Sequence, residues 1–163
     1  MNIQRLEMMK QMMGRVVAGS WFPVESLPDN DRFRAEVKKL KIISVNLYSW
    51  SNHKIGNQNS LCGFTACAVG HACFDEEFRK LGWKWSGSQP NFNNKLGWVA
   101  VEKFFEIDSY TAELLFKAQH YNNRAKYNHI NSKVREAQMV LDRIELLIQF
   151  NDQQKFQQHV GGM

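Results

Sequence analysis

From Asn2 to Ala18 the apolar side chains Ile3, Leu6, Met9, Met13, Val16 and Val17 return at three- and four-residue steps. That spacing keeps one stripe of a 3.6-residue helix apolar, and it predicts an amphipathic helix over residues 1–18. Met8, Met9, Met12 and Met13 crowd this segment. Unbranched thioethers fill irregular gaps, which suits a core or a pliable partner-binding stripe. Gly19 and Ser20 end the pattern, and the two prolines of "FPVESLPDND" mark a loop. Asp29 or Asp31 then caps a second helix reaching about Lys41, with Phe33, Val37 and Leu40 inward. "IISVNLYSW" sets Ile43, Val45 and Leu47 against Ser44, Asn46 and Tyr48, the alternation of a half-buried strand. The polar "SNHKIGNQNS" that follows is a surface loop.

Over residues 62–81 Cys67, Phe74, Phe78 and Leu81 keep to one side, while Asp75, Glu76, Arg79 and Lys80 take the other. This predicts one central helix, with Ser60 as N-cap, Gly82 as C-cap and Trp83 folding back on the last turn. "KWSGSQPNFNNK" is rich in turn formers and reads as a loop. A helix over Gly97 to Phe105 comes next, and Asp108 or Ser109 caps another running toward Tyr121 with Ala112, Leu114, Leu115, Phe116 and Ala118 inward. "NNRAKYNHIN" breaks the pattern before a helix from Ser132 to Phe150, whose Val134, Leu141, Ile144, Leu147 and Ile148 recur at helical steps. The glutamine-rich residues 151–163 end in glycines and are expected to fray. The pattern predicts a mainly α single domain over residues 1–163, a bundle of five to six helices with at most one or two short strands.

Composition sharpens this picture. A chain of 163 residues, 44% hydrophobic with three prolines, has the apolar content to bury one core and lacks the polar bias of disorder. The net charge of +5 admits nucleic acid or an acidic protein as partner. The densest basic run places Lys38, Lys39 and Lys41 on more than one side of a helix, which reads as solvated surface. Arg5, Glu7, Lys10 and Arg15 interrupt the first segment, so it is no signal peptide, and no window approaches the roughly eighteen apolar residues of a membrane span. Three cysteines without an export signal imply reduced thiols and a cytoplasmic protein.

All three cysteines lie within "NSLCGFTACAVGHACF", residues 59–74, beside His71. On one helix Cys62 and Cys73 are separated by about 16 Å of rise, beyond the roughly 7 Å that a disulfide allows. Cys62 and His71 are about 13 Å apart and cannot act as nucleophile and base on one helix. Cys67 and His71, at i and i+4, can touch. They would supply only two ligands to a metal, the others coming from residues such as His53, His120 or His129; no metal or other cofactor is expected. The stripe of Gly63, Ala66 and Gly70 lets a neighbouring helix or ring approach, and cysteine packs as a small hydrophobe. Cys62, at the start of a helix, has the setting of an activated thiolate.

"NQNSLCGFTA" resembles the glutamine-then-Cys-Gly entry of papain-like and bacteriocin-processing cysteine peptidases. That resemblance implies Cys62 as nucleophile, and His129 is the candidate base in this alternative reading as a hydrolase or acyltransferase. The downstream segments read as helical, whereas those enzymes mount the base on a strand.

"CGFTACAVGHAC" also resembles a Cys-Gly-Thr-x-x-Cys-x-x-Gly-His-Ala signature of small uncharacterised bacterial and phage proteins, supported by "VNLYSW" before it and "VEKFFEIDSYTAELLFKAQHY" after it. The match spans about residues 45–121 and places Phe64 where the signature has Thr. It implies a small, mainly helical intracellular domain, phage-encoded or phage-associated and then resident in the host cytoplasm. The signature positions Cys62, Gly63, Cys67, Gly70 and His71 carry no assigned role. The favoured reading is a non-enzymatic binding or accessory protein acting on a host or virion protein, with Trp83 and Trp85 as candidate partner contacts. A weak nucleic-acid-binding module is a further alternative.

Overall fold

The computed structural model describes residues 1–21, 44–45, 65–86, 89–121, 126, 128–130 and 132–161. The expected second helix toward Lys41, the Ser60 cap, and Trp50, His53, Cys62 and Gly63 lie outside the described residues. The architecture is mainly α, as the apolar periodicity requires.

Helix α1 (Ile3–Val17) begins at Asn2, whose side chain accepts the Arg5 N–H at 3.1 Å and satisfies one of the helix's orphan donors. Its apolar stripe of Leu6, Met9, Met12, Met13 and Val16 is buried, so the methionines fill the core. Gly19 takes φ +70°, a left-handed turn that costs glycine little, and returns Trp21 to bond the Arg15 carbonyl.

Strand β1 (Ser44–Val45) pairs in parallel with β2 (Thr65–Ala66). The motif segment then forms two short helices, α2 (Ala68–Ala72) and α3 (Glu76–Lys80). This corrects the single helix predicted over residues 62–81. Cys67 and Asp75 both hold extended backbone and cap the helix that follows, and a residue whose side chain bonds the backbone two or three positions on competes with helix continuation. The predicted close at Gly82 is present. Gly82, at φ +88°, donates to Arg79 O and Trp83 donates to Phe78 O, the paired bonds of a Schellman ending.

Residues expected to form a loop instead build an antiparallel sheet of β3 (Lys84–Ser86), β4 (Gln89–Phe92) and β5 (Lys95–Leu96), in the order β3-β4-β5. Asn93 and Asn94, at φ +48° and +60°, make the two-residue turn whose twist suits a hairpin. Pro90 sits opposite Trp85 but beyond the end of β5, so its missing N–H removes no bond from the ladder on that side.

Helix α4 (Gly97–Phe105) ends at Glu106 in a left-handed conformation, and Asp108 caps α5 (Ser109–Phe116). A 3-10 turn (Ala118–His120) follows, then α6 (Ser132–Phe150), which packs along α1, and α7 (Gln153–Gly161). One core of buried side chains runs from Leu6 to Val160. At its centre the Phe104 ring meets Trp83 at 4.8 Å, Phe92 and Phe105 at 5.0 Å and Phe78 at 5.5 Å. Arg5 closes the cluster, its guanidinium 4.7 Å from the Phe104 ring and bonded to the Phe104 carbonyl at 2.6 Å.

The expectation of a frayed tail is also corrected. Phe156 and Val160 are buried, and Gln153 and Gln157 tie α7 to Asp108: Asp108 N donates to Gln153 Oε1 at 2.8 Å, and Gln157 Nε2 donates to both Asp108 oxygens at 2.9–3.0 Å. Glutamines that look like solvated polarity along the chain serve here as bridges between helices. Phe156→Ala should therefore lower the unfolding free energy by about 3–5 kcal/mol in urea titration, the cost of emptying a core aromatic site, whereas a frayed tail would register almost nothing.

Candidate functional site

The site singled out by the sequence is the segment from Cys67 to Asp75, and every residue in it is buried. Cys67 Sγ accepts the Gly70 N–H at 3.4 Å, so the sulfur occupies the place of an N-cap oxygen. His71 is sealed within the core, with Nδ1 3.0 Å from the Cys67 carbonyl and its ring 4.7 Å from that of Trp21. A carbonyl only accepts, so in this bond Nδ1 carries the proton. The sequence suggested contact between the Cys67 and His71 side chains; this bond runs instead to the cysteine backbone, and the thiol caps the helix.

Burial pushes the Cys67 thiol up to about 11, against partial relief from the Gly70 N–H. Thiolate at pH 7 is then on the order of one molecule in ten thousand. Cys73 is pushed higher still, by burial and then by the neighbouring Cys67; its thiol donates weakly to the carbonyls of Val69 and Lys84, each at 3.6 Å. Trp83 donates its indole N–H to Val69 O at 3.3 Å. The thiols thus act as short, largely apolar groups held by weak polar contacts, and neither has the electropositive, open setting that makes a cysteine reactive.

The residues that organise the segment are ones the sequence reading passed over. Asp75, read as part of an exposed helix face, is buried at 2% exposure. Its Oδ2 accepts from Arg15 Nη2 at 2.7 Å and Trp21 Nε1 at 3.0 Å, while Oδ1 accepts from Glu77 N at 3.1 Å. One carboxylate caps α3, anchors the indole against His71 and ties the end of α1 to the motif. The signal was present: "DEEFRKLG" is a complete short helix, with an Asp cap, acids in the first turn, bases in the last and glycine just beyond.

Trp83 is fully buried against Phe104, and Trp85 is half-buried on β3 with its ring 5.9 Å from Phe74. The reading of Trp83 and Trp85 as candidate partner contacts in a loop is therefore corrected: the Schellman turn folds Trp83 inward, and pairing with Pro90 holds Trp85 on a sheet packed against the core. Among the exposed large apolar residues are Leu81, Leu96, Val99 and Tyr110.

Of the histidines weighed as bases or ligands, His129 is exposed in a turn, and His120 lies 3.4 Å from Glu113. Bonding to Lys117 at 2.5 Å holds the Glu113 carboxyl below its ordinary range. Among the described residues no group of three His, Cys, Asp or Glu side chains could hold a metal ion, and no helix is long and apolar enough to cross a membrane. No protein-family model, curated protein or solved structure matches the chain.

Two outcomes follow from this geometry. Asp75→Ala removes the acceptor shared by Arg15 and the Trp21 indole together with the α3 cap, and should cost about 2–4 kcal/mol in chemical denaturation. The Cys67 thiol, raised in the folded chain from its ordinary 9.0 to about 11, binds its proton more tightly than in the unfolded chain. Its contribution to stability is complete below about pH 9 and is lost as pH climbs toward about 11. Cys67→Ala should flatten that alkaline decline of stability, measured by denaturant midpoints across the window.

Proposed function

We propose that this chain is a non-enzymatic binding or accessory protein. The observation that carries the proposal is the enclosure of the Cys67 thiol: it caps a helix inside the core, holds its proton through neutral pH, and meets His71 by way of a backbone carbonyl. A nucleophile needs a thiolate and an approach for its substrate, whereas Cys67 and His71 are packed in the core. A phage origin and a host or virion protein as the partner rest on the signature at Cys62, Gly63, Cys67, Gly70 and His71 alone.

Alkylation resolved cysteine by cysteine tests the reading, because Cys62 is the nucleophile of the rival cysteine-hydrolase reading. In native protein at pH 7.5, treated with iodoacetamide and analysed by peptide mass, Cys67 and Cys73 should label at least a hundredfold more slowly than after unfolding, and Cys62 no faster than a simple thiol. Cys62 labelling faster than a model peptide, and losing that excess in His129→Ala, would turn the assignment toward a hydrolase or acyltransferase. A nucleic-acid-binding role would show as DNA affinity falling steeply with salt; retention at 50 mM salt that disappears at 200 mM would replace the protein partner with a polyanion.

A further inference from the structure

We draw no further inference here: the strongest candidate, the exposed apolar strip of Leu96 and Val99 at the start of α4 beside the buried, unpartnered amide oxygen of Asn91, carries nothing because nothing in the structure shows what covers that strip.

Discussion

A single buried carboxylate holds three parts of this molecule in register. Asp75 would be costly to bury alone, since a desolvated charge loses its water without replacement. It is tolerated because a guanidinium from α1, an indole N–H from the turn after α1 and a backbone N–H of α3 converge on it. Each donor comes from a different piece of chain, so satisfying the carboxylate fixes where those pieces lie relative to one another. Apolar burial supplies most of the driving force for collapse, but it is nearly indifferent to direction. The directional bonds at Asp75 select one packing of Trp21 on His71 from the many that would bury the same area.

The long helices were legible because each presents an apolar stripe over several turns. α1, α4 and α6 lie within a residue or two of where Ile3, Gly97 and Ser132 suggested. Asp108 was legible as a cap because its side chain acts on its own neighbours, accepting from Thr111 N at 2.8 Å. The motif helix misled for a definite reason. The sides assigned to Cys67, Phe74, Phe78 and Leu81 suppose an unbroken helix, and the extended backbone at Asp75 resets the phase between the two short ones. The sheet was hidden because strands of two to four residues are too short for alternation to show, and Pro90 reads as a breaker until the register places it past the end of β5. The docked α7 was hidden because its polar contacts reach Asp108, more than forty positions away in the chain.

The candidate site divides along the same line. Spacing along a helix suggested that the Cys67 and His71 side chains can touch, and the bond observed runs from the His71 ring to the Cys67 carbonyl. Their burial was a tertiary matter: the Trp21 ring packs on that of His71, and Trp83 bonds the Val69 carbonyl between the two residues. A cysteine at a helix start is activated by free N–H groups only while solvent can also reach it. Here Cys67 meets the same N–H groups in a dry interior, where desolvation outweighs the hydrogen bonds. One structural position can thus host a nucleophile or a packing group, and enclosure decides which.

Glu106 joins α4 to α5 at φ +53°, a torsion that glycine would adopt with less strain. Yet its carboxylate receives the Asn2 side-chain amide at 3.1 Å and lies 3.7 Å from Arg5. Glycine there would relax the corner and at the same moment untie it from the first turn of α1. A residue ill-suited to its own backbone is kept in service as a mooring, and a gain in local comfort at this joint would loosen the fit between its neighbours.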